Sequence, residues 1–168
     1  MVIMHSVDSR ADRKRLLGRG VKIAYESERG PWIITQYNPK DFGGGILPEI
    51  ETTTGSPFDR FSNWPAAGPN ESIYVPTMKE TADKHLVGVT LQVAKSEDPL
   101  TVARNWAELL ELPITLDKDR NPAVQYMNGL VSFVKEQDGR GPGILYLDVA
   151  CPNPEVGGLT TRVCYTLT

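Results

Sequence analysis

The chain has 168 residues, of which 40% are hydrophobic and 23% charged, and its 21 acidic against 18 basic side chains leave a net charge of −3. A chain of this length buries enough surface to fold without disulfide or metal staples, and its composition excludes an intrinsically disordered protein. The mildly acidic balance supplies no field that would draw it onto nucleic acid, and the few apolar residues of the opening Met-Val-Ile-Met-His suit neither a signal peptide nor a membrane span, so a cytoplasmic protein with no membrane partner is expected.

Residues 2 to 6 are short and mostly apolar, as in a first strand. Asp8 and Ser9 then offer N-cap oxygens, and the run to Leu17 ends at Gly18 and Gly20, the pattern of a short helix over about 9 to 18. Val21, Ile23 and Tyr25 alternate with Lys22, Ala24 and Glu26, which is strand periodicity. After a turn at Gly30-Pro31, Trp32 to Tyr37 supplies another strand, stopped by Asn38-Pro39-Lys40-Asp41. Three glycines follow, and Ile46 to Glu51 begins a further strand, so the first 51 residues read β-α-β-β-β.

Residues 52 to 85 are rich in Pro, Gly, Ser, Thr and Asn with interspersed aromatics, and read as an irregular linker packed along the surface. Leu86 to Ala94 then alternates as a strand, and Asp98 followed by Pro99 opens the clearest helix, apolar at Leu100, Ala103, Trp106, Ala107 and Leu110 and stopped by Pro113. Ala123 to Met127, Leu130 to Lys135 and Ile144 to Ala150 add three strand-like segments. Residues 86 to 150 thus repeat β-α-β-β-β about 85 residues after the first copy, leaving 151 to 168 as a C-terminal extension.

The segment Asn38-Pro39-Lys40-Asp41-Phe42-Gly43-Gly44 resembles the His-Pro-(Lys/Arg)-Asp-x-Gly-Gly signature of methylmalonyl-CoA epimerases and related glyoxalase-like proteins, with Asn38 in place of the His. Gly88-Val89-Thr90-Leu91-Gln92-Val93, with the helix carrying Arg104 to Leu110, is similar to the opening of a module in the same vicinal oxygen chelate superfamily. The resemblance implies an α+β fold of paired βαβββ modules, whose cupped mixed β-sheets carry their helices on the outside. It also implies a divalent metal, held by His, Gln or Glu from the first and last strands of each module, that stabilises an oxyanion.

The residues at the implied ligand positions are poor ones. Gly88 stands in the opening strand of the second module and Ser132 in a later one, while in the first module the positions fall on Pro48 and at or before Met1. No metal site and no cofactor are therefore expected, Glu49 reaching the cavity only if the triple glycine forms a bulge. Glu49 and Glu51 read as solvent-facing. The residues expected to contact a ligand are His5, an imidazole able to act as a base, with Glu49, Thr90, Gln92 and Ser132 as polar pocket groups.

No Ser-His-Asp grouping can be assembled from the two His, and Gly139-Arg140-Gly141-Pro142-Gly143 lacks the Lys-Ser/Thr of a phosphate loop. Arg10, Arg13, Lys14, Arg15, Arg19 and Lys22 form a basic cluster that reads as a solvated helix face rather than a phosphate site. Cys151 and Cys164 read as free interior thiols. The function expected is binding of a small organic molecule in a cleft between the modules, as in drug-binding, bleomycin resistance-like members of the superfamily, with Trp32, Trp64 and Trp106 as contact area. The alternative is a metal-dependent lyase or epimerase acting next to a carbonyl. A homodimer is expected because the modules offer strand edges.

Overall fold

The computed structural model describes residues 1–29, 32–53 and 84–150, with isolated positions 76, 79 and 80 and the backbone of a strand at Thr160–Cys164. Most of the expected irregular linker, the turn at Gly30-Pro31, Trp64 and the side chains of both cysteines lie outside the described residues.

The first half contains β1 (Val2–His5), α1 (Ser9–Gly18), β2 (Ile23–Arg29), β3 (Trp32–Tyr37), the single turn α2 (Pro39–Phe42) and β4 (Pro48–Thr53). Its strands lie in the order β1-β4-β3-β2, with β1 parallel to β4 and the other pairs antiparallel. The second half contains β5 (His85–Val93), α3 (Pro99–Leu110), β6 (Ile114–Leu116), β7 (Pro122–Tyr126) and β8 (Gly129–Lys135), and repeats that order as β5-β8-β7-β6. Two further strands, β9 (Gly143–Ala150) and β10 (Thr160–Cys164), continue the sheet from the other side of β5. The protein is thus α+β, with two mixed open sheets of four and six strands built on a repeated βαβββ order.

One strand assignment differs from the sequence reading. The second repeat is completed by β6, and the segment Ile144–Ala150 lies outside it, antiparallel to β5. All three residues of β6 are exposed, too short and too uniform a stretch to show a strand period.

Local chemistry fixes both helices. The Asp8 carboxylate caps α1 by accepting from the N–H groups of Arg10 and Ala11 at 3.1 and 3.0 Å. Asp98 caps α3, accepting from the Thr101 N–H at 3.0 Å and its hydroxyl at 2.8 Å, and these bonds hold its carboxyl below the usual range. The chain leaves α3 through Glu111, whose left-handed φ of 56° lets Leu112 N–H reach the Ala107 carbonyl at 2.9 Å.

α1 packs across β3 and β4, and α3 across β5, β7 and β8, so each helix covers one face of its own sheet. A single core runs between the halves, with Val2, Met4, Tyr37 and Ile50 from the first and Leu91, Val93, Val124 and Phe133 from the second. Trp106 joins them: its indole meets Phe42 edge-on at 5.2 Å and Phe133 at 5.4 Å. The three glycines form no strand bulge. All have positive φ and press against the second half, where the Trp106 indole N–H reaches the Gly43 carbonyl at 3.3 Å and a Cβ at Gly45 would come 2.7 Å from Pro142. Trp106 is therefore core and not ligand contact area.

Among the described residues, no helix is long and apolar enough to cross a membrane. The basic cluster of α1 is largely consumed by carboxylates and carbonyls. Arg10 and Arg13 pair with Glu26 and Glu28 of β2, while Arg15 and Arg19 reach Glu111 and the carbonyls ending α3. Hydrogen bonds from Arg10 and then Arg13 lower the Glu28 pKa to about 2. A carboxyl with a depressed folded-state pKa adds stability above its unfolded value and loses it as pH falls through the folded one. The difference in thermal midpoint between wild type and Glu28→Gln, measured from pH 7 downward, is therefore expected to be constant above about pH 5 and to vanish near pH 2.

Candidate functional site

Strand periodicity decides which residues can meet a ligand, because each helix packs on one face of its sheet and alternate side chains turn to the other. In the first sheet the helix side takes Val2 and Met4 of β1, Ile50 and Thr52 of β4, and Thr35 and Tyr37 of β3. The Thr52 hydroxyl accepts from the N–H of Ser9 on α1 at 2.7 Å, which confirms the side. The opposite, open face carries Ile3 and His5, which pair in register with Glu49 and Glu51.

The expectation of solvent-facing glutamates is corrected here, since Glu49 is 5% and Glu51 2% exposed. No bulge is needed to bring them to the open side, because the β1–β4 register is unbroken from Pro48 to Glu51. Ile50, buried under the helix, sets the parity and turns Pro48 to the same side. The Glu51 Oε1 lies 3.0 Å from Nε2 of His5, whose side chain is 38% exposed. The Glu49 carboxylate accepts from the Gln36 amide of β3 at 2.6 Å. It is therefore Glu51, not Glu49, that stands beside His5.

On the second sheet the open face carries Gly88, Thr90 and Gln92 of β5, with Ser132 of β8 opposite Thr90. Gln92 is fully buried, and its side chain is committed to the following loop. Its amide donates to Asp138 and to the Gly141 carbonyl, both at 2.7 Å, and its carbonyl accepts from the Gln137 N–H at 3.1 Å. Thr90 is buried between Ser132 and Tyr146 of the neighbouring strands.

Ser132 instead lines a cavity of about 170 Å³. Gly88, Leu130 and Ser132 form its floor, with Val87 beside them. Asp148 of β9 stands opposite Gly88, and the turn after β6 brings Asp117 and Lys118 to the remaining wall. A Cβ at position 88 would lie 3.1 Å from the Asp148 carboxylate, so glycine keeps this floor open. The Lys118 ammonium is 3.8 Å from Asp148 Oδ1. Burial opposes ionisation of Asp117, yet donors from Asn121, Ser132 and the Asp119 N–H outweigh it and hold the carboxyl below its usual range.

Of the five residues expected to bind a ligand, the structure places only Ser132 at this cavity, while His5 and Glu49 share the open face of the other sheet. The described residues of the cavity come from the second repeat and β9. Asp117, Lys118 and Asp148 were not anticipated. Asp148 carries a signal, being the one charge inside the apolar run Ile144 to Ala150, whereas Asp117 and Lys118 look like ordinary turn residues.

The metal implied by the resemblance does not fit these residues. His5 and Glu51 are the first- and last-strand groups that meet in the first repeat, while the second offers Thr90, Ser132 and the engaged Gln92. Among the described residues, no three His, Cys, Asp or Glu side chains are placed to share an ion.

No protein-family model matches the chain, and no curated protein matches it. Its fold is similar to that of a solved structure, a hypothetical protein from Staphylococcus aureus, with a TM-score of 0.57 at 11% identity over 88% of this chain and 55% of that one. The chain spans about half the length of that protein, and the likeness is one of fold alone.

Removing the donor to a buried carboxylate leaves it uncompensated. Gln36→Ala is therefore expected to cost about 1–3 kcal/mol in urea unfolding, with Gln36→Glu at least as damaging through like charge beside Glu49. A loss under about 0.5 kcal/mol would show that the Gln36–Glu49 bond does not hold the face together.

Proposed function

We propose that this chain is a glyoxalase-like protein that binds a small organic molecule without the usual metal, seating it on the open face of the second sheet. The observation that carries the reading is the cavity over Gly88, where the apolar Val87 and Leu130 meet the polar side chains of Asp117, Lys118, Ser132 and Asp148, so that apolar contact and oriented polar groups share one hollow. Its size supports a small ligand or one end of a larger one, since about 170 Å³ is below the roughly 300–1,000 Å³ of drug-sized pockets. The metal-dependent lyase or epimerase is the weaker reading, because His5 and Glu51 give it two ligands where such chemistry takes three or more.

A fragment screen by thermal shift tests the proposal, because a ligand that binds only the folded state raises the midpoint. Hits are expected that lose their effect in Gly88→Val, whose side chain fills the floor, provided that variant retains a cooperative transition. Hits indifferent to Gly88→Val, or a nickel, cobalt, zinc or manganese shift abolished by Glu51→Ala, would count against it.

We also propose a homodimer formed through β6. Among the described residues, β6 is an edge of the six-stranded sheet, and Ile114 at 43% and Leu116 at 52% exposure lie beside the 38% exposed Leu100. Light scattering at micromolar concentration is expected to give twice the chain mass, and Leu116→Lys to give the monomer. A monomeric wild type would refute the assembly.

A further inference from the structure

A groove of about 240 Å³ between α3 and β6 is lined by Leu100, Ile114, Thr115 and Leu116, and one charged residue, Arg104, stands among them. Leu100, Ile114 and Leu116 are all exposed, so a guanidinium borders an apolar patch on the surface.

Most carboxylates around this groove are engaged within the chain. Asp98 caps α3, Glu111 at its end pairs with Arg19 at 2.9 Å, Asp117 is held by Asn121, and Asp119 is engaged as well. Arg104 and Glu108 are different. Both are exposed, and among the described residues neither side chain takes part in a hydrogen bond or an ion pair. They stand one helical turn apart on one face of α3, with Cβ atoms about 6 Å from each other, yet they do not pair.

Covering the groove takes Arg104 out of water together with its apolar neighbours, and a guanidinium desolvated without an acceptor opposes association. Whatever covers it must therefore bring a carboxylate. In a two-fold dimer every contact occurs twice with the roles exchanged, so that carboxylate has to come from the same surface that carries Arg104. Glu108 meets the condition.

Resting on the dimer proposed above, we infer that the two α3 helices run antiparallel across its two-fold axis, with Arg104 of each copy bound to the partner's Glu108. An axis passing midway between the two side chains forms both ion pairs at once. The apolar contact of Leu100, Ile114 and Leu116 favours association without fixing its direction, and the two charge pairs select one register by setting like charges against each other in the alternatives.

Charge reversal followed by sedimentation equilibrium tests the pairing. Arg104→Glu and Glu108→Arg each place like charges opposite one another at both pairs, and each is expected to weaken the dimer at least tenfold. An equimolar mixture of the two variants again sets opposite charges at both pairs, and is expected to dimerise within about threefold of wild type, as is the chain carrying both substitutions. The mixture is the decisive arm, because a pair formed within one helix gains nothing from mixing. Recovery there also shows that both variants fold. Single variants as dimeric as wild type, or a mixture that stays monomeric, overturn the pairing while leaving the dimer in place. A monomeric wild type overturns both, and Leu116→Lys reads the apolar contact separately from either charge.

Discussion

The indole of Trp106 is the contact on which the relation between the two sheets depends. It is fully buried, lies on the face that α3 turns to its own sheet, and meets Phe133 there while Phe42 approaches from the first half. Two neighbouring bonds keep that approach in register, since the Asn105 amide donates to the carbonyls of Asp41 and Phe42 at 2.9 and 2.7 Å. The short turn α2 and the glycine after it thus present α3 with an aromatic edge and with the carbonyls of Asp41, Phe42 and Gly43. Asn38, standing where the resembling signature has His, caps that turn by accepting from the Lys40 N–H at 3.0 Å. In this chain it holds the turn that carries Phe42.

Once the apolar side of each strand is committed to this shared core, parity sends the polar side chains to the opposite face. Ile50 and Met4 go inward, so Glu49, Glu51 and His5 go outward together. Leu91 and Phe133 go inward, so Thr90 and Ser132 go outward. Burying two carboxylates on a sheet face requires compensation, and the first sheet supplies it locally through Gln36 and His5. A face stabilised in that way has its polar groups already engaged with one another.

This distinction explains what the sequence could and could not reveal. Both helices, their caps and most strands were legible because each rests on a local signal: Asp8 and Asp98 as caps, Pro99 at a first turn, alternation in Trp32–Tyr37 and His85–Val93. β6 was not, because three exposed residues after Pro113 carry no period. The parity of β4 was misread because Pro48, Glu49, Ile50 and Glu51 alternate in a way that fits either side until Val2 and Met4 are known to pair with Pro48 and Ile50. The cavity was least legible of all. Its lining joins β5, β8, β9 and a turn that are adjacent only after the sheet has formed, and the apolar strand β9 looked like the last strand of the repeat rather than an addition to it.

The placement of β9 also accounts for why the two repeats, alike in strand order, present different chemistry. In the first sheet β1 is an edge among the described residues, and its open face is closed by side chains reaching across to β4. In the second sheet β9 covers the corresponding edge of β5 and brings a carboxylate opposite a residue with no side chain. Gly88 therefore does two things that a residue with a side chain could not do at the same position. It leaves Asp148 room above the sheet, and it leaves the space beneath unfilled, while Gly129, whose own Cβ would lie 2.5 Å from the Val87 carbonyl, lets β8 and β5 approach closely. The hollow follows from the absence of a side chain at Gly88, with a strand from outside the repeat supplying a carboxylate.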